Sequence, residues 1–178
     1  NSENNVNVTF GGSLSIAGTA YTDSGSTAIG SSKTVAVEFE NGSKYIAETN
    51  SSGEYSVANI TYSIGDHATV FLEDETENAV TDILVGSTSI TGIDLYQDHL
   101  IVRSESGTTP ISASILGESS SDTDVTAILT SASASGVSIP GATFMVWTGE
   151  EYGTGGTLSA QSLDIDGTLY MDTNELTV

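Results

Sequence analysis

The chain of 178 residues contains no cysteine, which excludes disulfide bonds, thiolate catalysis and zinc–thiolate sites. Cations are also scarce: 3 Lys and Arg residues stand against 24 Asp and Glu, giving a formal charge of -21. Because such a surface repels phosphate, we expect no nucleic-acid partner. No apolar run approaches the roughly 18 residues of a membrane span, and no segment has helical periodicity, so we expect neither a span nor helices.

Residues that favour β-strands make up a large part of the composition. Val, Ile and Thr together account for 51 residues, as do Ser and Thr, and hydrophobic residues make up 37%. This composition predicts an all-β fold with a real core.

Short alternating runs separated by turn residues indicate a meander. Residues 34–39 (TVAVEF) alternate, Asn41-Gly42 is a strong hairpin signal, and 44–48 returns. A second turn, Asn50–Gly53, precedes another strand at 54–60. Further strands are predicted at 67–73, 79–85, 125–129 and 142–147. The spacing between turns predicts a β-sandwich.

The chain divides into four predicted segments. These are an N-terminal strand at 1–12, a β-sandwich at 13–103, a Ser-rich linker or loop at 104–122 and a second β domain at 123–178. In the last segment, the apolar alternations of 157–178 are broken by Gly167 and Asn174. They resemble rungs of a β-solenoid, so the second domain is predicted to be a smaller β-sheet or solenoid-like.

Residues Thr49–Val57 read TNSSGEYSV and fit the pattern T-[DN]-x-x-G-x-Y-x-[FV]. This pattern resembles the hairpin of carboxypeptidase-regulatory-like and collagen-adhesin B-type (Ig-like) sandwich domains. Gly53 is expected to supply a left-handed turn and Tyr55 to enter the core. Farther on, IDLYQDHLIVR, MVWTGEEYGTGGTLS and SLDIDGTLYMDTNELTV resemble modules of large repetitive bacterial surface proteins with adhesin-like solenoids. Both resemblances imply a binding or structural role.

Calcium is the one cofactor that the sequence suggests, because it prefers carboxylate and carbonyl oxygens. Residues 73–78 (EDETEN) form the densest oxygen cluster, and DTD at 122–124 is a second. The candidate ligands are Glu73, Asp74, Glu75, Glu77, Asp122 and Asp124. No EF-hand pattern is present, and a solvated acidic surface that needs only diffuse counter-cations is the alternative.

Catalysis is not expected. Carboxylate pairs such as Glu38/Glu40 and Asp164/Asp166 arise readily in so acidic a chain, and a solvated face explains them. His67 and His99 each follow an acid, but no G-x-S-x-G nucleophile elbow occurs. An accessory domain of an acidic glycosidase or peptidase stays open as a third interpretation.

Two features suggest glycans. N-x-[ST] sequons, which are candidate glycosylation sites, occur at Asn7, Asn41, Asn50 and Asn59. Trp147 and Tyr152 are candidates for stacking on a sugar, but the favoured interpretation of Trp147 is that it closes the core at a domain junction.

The N-terminal strand indicates assembly. It alternates over Asn5, Val6, Asn7, Val8, Thr9 and Phe10 and precedes Gly11-Gly12, so it can pair within its own domain or fill an edge in a neighbour. The acceptor would be the sandwich edge or residues 169–178. We therefore predict a secreted, cell-surface structural protein, a homopolymer subunit of a filament or fibrous adhesin. The alternative is a carbohydrate-binding or adhesive module that contacts glycans or a host surface.

Overall fold

The computed structural model describes residues 13–86, 89–106, 110–153 and 155–171, and the backbone of 176–177. The predicted donor strand lies outside these residues. Within them, fifteen strands and two four-residue helices occur, which confirms the all-β prediction. The first eight strands are β1 Leu14–Tyr21, β2 Thr34–Phe39, β3 Lys44–Glu48, β4 Glu54–Ile60, β5 His67–Leu72, β6 Val80–Leu84, β7 Leu95–Tyr96 and β8 His99–Ser104. The remaining elements are β9 Ile111–Ser112, α1 Ala113–Leu116, α2 Thr123–Thr126, β10 Ser131–Ser133, β11 Gly136–Val146, β12 Glu151–Gly153, β13 Thr157–Ile165, β14 Thr168–Tyr170 and β15 Leu176–Thr177.

A long central sheet has a hydrophobic core on each face. Its strand order is β15-β13-β11-β8-β6-β5-β2-β3, with β10 beside β11. On one face, Val35 and Val37 pack with residues of a smaller sheet, β4-β1-β7. On the other face, the intervening Ala36 joins a core shared with α1, α2 and a third sheet, β14-β12-β9.

Strands β5 and β6 are buried along their whole length. Strands with one solvated face alternate between buried and exposed residues, whereas strands covered on both faces do not. The burial of β5 and β6 therefore follows from their place in the central sheet.

The turn at Asn50–Gly53 connects two sheets. β3 pairs with β2 and β4 pairs with β1, so the predicted hairpin is instead a crossing between sheets. Gly53 has φ +74 and Tyr55 is buried, its hydroxyl donating to the carbonyl of Ile93. Both expectations for this motif are confirmed.

Most strands of the C-terminal half are parallel and stacked, with one register shift in the β11–β13 pair and with β10 antiparallel to β11. β8, β11, β13 and β15 pair in parallel in the central sheet, and β9, β12 and β14 pair in parallel in the third sheet. Successive chain segments thus contribute one strand to each stack, as rungs of a solenoid do.

The strand predicted at 125–129 is wrong. These residues lie in α2 and the turn after it, with Val125 buried. The Asp122 carboxylate accepts a hydrogen bond from the Asp124 N–H at 3.0 Å and caps this helix. This Asx-type cap favours helical over extended backbone. Two short helices therefore occur where none was expected.

The Ser-rich segment 104–122 contributes to the core. Ile111, Ala113 and Leu116 are buried there, on β9 and α1. The division into two domains stays a prediction, since the central sheet runs through both predicted parts.

Candidate functional site

Two acidic stretches that were predicted to bind calcium meet around a lysine. The Lys44 ammonium lies 2.6 Å from Glu73 Oε1 and 3.0 Å from Asp122 Oδ2. Beside it, Asp124 Oδ2 accepts a hydrogen bond from the backbone N–H of Asp74 at 2.7 Å. The fold thus brings the two stretches together, as a shared site would require.

A second lysine binds the other two predicted ligands. Lys33 Nζ lies 3.0 Å from Glu75 Oε2 and 2.9 Å from Glu77 Oε2, and this contact lowers the pKa of Glu77. Among the described residues, no group of three His, Asp or Glu side chains is arranged to hold a metal ion. Calcium binding stays a prediction.

A buried polar network occupies the central sheet, and the sequence analysis did not identify it. Asp82 on β6 is fully buried, and its carboxylate accepts hydrogen bonds from Thr69 at 2.9 Å and Ser119 at 3.0 Å. His67 Nε2 lies 3.0 Å from Asp82 Oδ1. The available signal was an acid within the apolar run VTDILV, where alternation places Asp82 on the same face as two core residues.

The segment after α1 covers this network. The Ser120 N–H donates to Thr69 Oγ1 at 3.0 Å, and the Ser120 hydroxyl donates to Glu38 Oε2 at 2.7 Å. The Ser cluster therefore binds the buried Thr69 of β5, which also donates to Asp82, and the half-buried Glu38 of β2.

This arrangement differs from a nucleophilic triad. In a triad, histidine lies between the serine and the carboxylate. Here Asp82 lies between Ser119 and His67. The expectation that the chain is not an enzyme stays a prediction.

The pKa of His67 is raised. Burial alone would lower it, but the hydrogen bond and charge of Asp82, with the charges of Glu118 and Glu40, outweigh burial. The protonated imidazole is therefore favoured by folding.

We expect thermal stability to fall as pH rises through the raised pKa of His67. A histidine with a raised pKa contributes stability that is complete below its unfolded pKa of about 6.5 and is lost above its folded pKa. Melting temperatures between about pH 6 and about pH 9 should decline more steeply for the wild type than for His67→Gln. His99, the other histidine of the chain, is present in both proteins. Parallel curves would contradict the assignment.

A pocket of about 380 Å³ lies beside His67. It combines apolar walls with two carboxylates and is lined by Glu40, Ile64, Gly65, His67, Leu84, Ser106, Ile115 and Glu118. This volume is within the range of small-molecule sites, about 300–1,000 Å³.

Aromatic rings gather where the small sheet meets the parallel strands. The Tyr96 ring centroid lies 5.5 Å from that of Tyr21 and 6.0 Å from that of Trp147, and all three side chains are half-buried. The Arg103 guanidinium lies 5.4 Å from the Trp147 ring. Burial and the charge of Asp94 raise the pKa of Tyr96 to about 12, so its hydroxyl stays protonated at neutral pH.

Tyr152 corrects the predicted glycan-stacking pair. Its ring is completely buried, 4.7 Å from Phe144, because its position on β12 faces the inside of the parallel stack. Its hydroxyl has no hydrogen-bond partner among the described residues. The aromatic neighbour of Trp147 near the surface is Tyr96.

Three of the four sequons lie in described residues, and their asparagines are exposed. Asn41 and Asn50 begin turns and accept hydrogen bonds from Ser43 and Ser52, respectively, at 2.8 Å. Asn59 has φ 59 within β4, and Asn7 lies outside the described residues. Glycosylation stays a prediction.

The edges of the central sheet are formed by β3 at one end and by β13 with β15 at the other. Among the described residues, β15 pairs with β13 at Leu158 and Ser159. In the third sheet, β14 has β12 as its neighbour within the described part of the chain. The predicted acceptor edge at 169–178 is thus described only in part.

Comparison of the sequence with family models, with curated proteins and with solved structures gave no match. The two resemblances described above therefore stay predictions. In the described residues, no helix has the length and apolarity needed to cross a membrane.

Proposed function

We propose that this chain is a structural module of an extracellular filament or fibrous adhesin, joined to other copies through β-strand edges. The observation that carries the proposal is the pair of parallel strand stacks in the C-terminal half. Such stacks extend by adding strands, because every terminal strand offers the same row of backbone donors and acceptors.

The edge strand β14 of the third sheet illustrates how such a stack extends. The Thr168 N–H donates to the Glu150 carbonyl at 2.8 Å, towards β12. Since backbone groups alternate in direction along a strand, the N–H and C=O of Leu169 point away from β12. Within the described residues no strand pairs with that side of β14, so these groups are available to a further strand.

The β3 edge of the central sheet, at the opposite end from β13 and β15, also favours pairing with another copy. β3 is an edge strand with Ile46 64% exposed. Natural edges are commonly protected by lysine or proline. β3 has no proline, and its Lys44 is bound to two carboxylates. A contact between two different edges is head-to-tail, which produces an open fibre when the rotation does not close.

Charge sets the condition for assembly. Each copy carries a formal charge of -21, so stacked copies repel one another unless salt screens them. We therefore expect polymers to be favoured by high ionic strength or divalent cations, while the acidic surface keeps the fibre hydrated.

Leu169→Pro tests the edge. Proline removes the outward N–H, and Leu169→Ala is the matched control that removes the same side chain but keeps the N–H. We expect wild type and the Ala variant to polymerise in electron microscopy and sedimentation, with the Pro variant needing at least about tenfold more protein. A wild type that stays monomeric at all concentrations and ionic strengths would refute the proposal.

Deletion of residues 1–10 tests the donor-strand route separately. If the Asn5–Phe10 strand inserts into a neighbour, the deletion abolishes polymers and an added peptide of that sequence competes with assembly. Polymers that persist unchanged would limit the mechanism to the stacked edges.

Carbohydrate binding is a second candidate, favoured by the Tyr96–Trp147 pair. Half-buried aromatic rings beside carboxylates and a guanidinium suit sugars, which stack on rings and hydrogen-bond at their rim. The Asp164 and Asp166 carboxylates are close enough to raise the pKa of Tyr96.

Trp147 fluorescence tests this candidate, because it is the single tryptophan of the chain. We expect a glycan found on an array to shift its emission and to lose at least about tenfold in affinity in Trp147→Ala. Tyr170→Ala, at a tyrosine that is 53% exposed, is the control. Equal binding by both variants would exclude this surface.

A further inference from the structure

The pocket beside His67 contains two carboxylates without partners. Glu40 and Glu118 are exposed, and neither carboxylate has a hydrogen bond or ion pair within the described residues. The cations of this chain are engaged elsewhere: Lys33 and Lys44 bind carboxylates, and Arg103 binds Glu105. Apart from the His67 imidazole itself, any cation that neutralises this pocket must therefore come from outside the described residues.

A buried imidazole provides a second and independent observation. His67 is 2% exposed and lines the pocket, and its Nε2 lies 3.0 Å from the Asp82 carboxylate. Its Nδ1 has no hydrogen-bond partner among the described residues. A buried polar atom without a partner is costly, so a ligand atom that satisfies it gains affinity.

The partner for Nδ1 has a defined chemistry. When His67 is protonated, Nδ1 is a donor, and when it is neutral with the proton on Nε2, Nδ1 is an acceptor. A hydroxyl group can both accept and donate, so it suits either state. An ammonium group at the same point would be repelled by the protonated form.

The walls define the body of the ligand. Ile64, Leu84 and Ile115 contribute apolar side chains to the lining. They suit a short hydrocarbon chain, and the two carboxylates suit an ammonium group.

We propose that this pocket binds a small hydroxylated primary amine. Its ammonium lies near Glu40 and Glu118, its hydroxyl pairs with His67 Nδ1, and its carbon chain lies on the apolar wall. A metal ion is not the ligand proposed, since no three of the described acidic or histidine side chains are arranged around one.

Three matched probes test the proposal by titration calorimetry at about 0.15 M salt, where surface charge is largely screened. These are 4-amino-1-butanol, butane-1,4-diol, which lacks the charge, and butylamine, which lacks the hydroxyl. We expect the amino alcohol to bind at least about tenfold more tightly than the diol and severalfold more tightly than butylamine.

Variants locate the binding. The double variant Glu40→Gln/Glu118→Gln should lose at least about tenfold in affinity for 4-amino-1-butanol, while Glu48→Gln, on exposed β3, should not. Both sets of changes are at exposed residues, so we expect the fold to be retained. Equal affinity for the three probes, or equal loss in both variants, would show only diffuse attraction of cations to an acidic surface and would overturn the proposal.

Discussion

Asp82→Ala is expected to lower the free energy of unfolding by about 3–5 kcal/mol. The Asp82 carboxylate is fully buried, accepts hydrogen bonds from Thr69 and Ser119, and lies 3.0 Å from His67 Nε2. Its removal leaves the buried His67 without its nearest counter-charge, and leaves the buried Thr69 hydroxyl and the half-buried Ser119 hydroxyl without this acceptor. Urea denaturation measures the loss.

Two control variants are needed. One removes the charge of Asp82 but keeps its size, and the other removes a carboxylate charge from an exposed strand. Asp82→Asn keeps the size and one acceptor oxygen, so we expect a smaller loss and a lower pKa of His67. Glu48→Gln removes one negative charge from exposed β3 and should change stability by less than about 0.5 kcal/mol. If Asp82→Ala cost no more than this control, the buried network would not stabilise the fold.

Gly18→Ala is expected to destabilise the fold by about 3 kcal/mol or more. A Cβ at Gly18 of β1 would overlap the backbone carbonyl of Ile93, far inside van der Waals contact. The Ile93 backbone cannot easily move, because its N–H donates to Ala17 O at 3.0 Å and its carbonyl accepts from the Tyr55 hydroxyl. The substitution therefore separates β1 from the segment before β7.

Gly141→Ala is the control for Gly18→Ala. Gly141 also lies in a strand, β11, but an added Cβ meets nothing within 4 Å and its φ is outside the left-handed region. We expect it to be neutral or stabilising by up to about 1 kcal/mol. Thermal and urea denaturation of the two variants should differ clearly, and equal stabilities would contradict the close approach at Gly18.

Strands next to clear turns could be predicted from the sequence. Residues 34–39, 44–48 and 54–60 have the predicted bounds, because alternation and the Asn-Gly and Ser-Gly turns are local signals. These local signals did not predict which strands pair with each other. The turn at Asn50–Gly53 joins strands of different sheets, and pairing between strands depends on residues distant in the chain.

The error at 125–129 has a similar cause. The β-branched residues there favour a strand, but the Asp122 cap and the burial of Val125 hold a helical turn instead. Local propensity is weak enough for one cap and one buried contact to decide the outcome.

The candidate sites were predicted only in part. The sequence identified Trp147 and the acidic stretches, yet it paired Trp147 with Tyr152, which is in the core, and not with Tyr96. It placed no emphasis on Asp82 or on the pocket beside His67. These groups are brought together from separate strands and from the segment after α1, so no local spacing in the sequence indicates that they meet.

Composition and alternation alone determined that this chain is acidic, all-β and rich in turns. Net charge follows from the composition, and strand and turn preferences depend on residues that are close together in the sequence. Tertiary structure alone decided that the central sheet is covered on both faces, that Asp82 is buried, and which aromatic side chains reach the surface. Those outcomes depend on which distant strands become neighbours, and the same alternating strand can face water or a second layer.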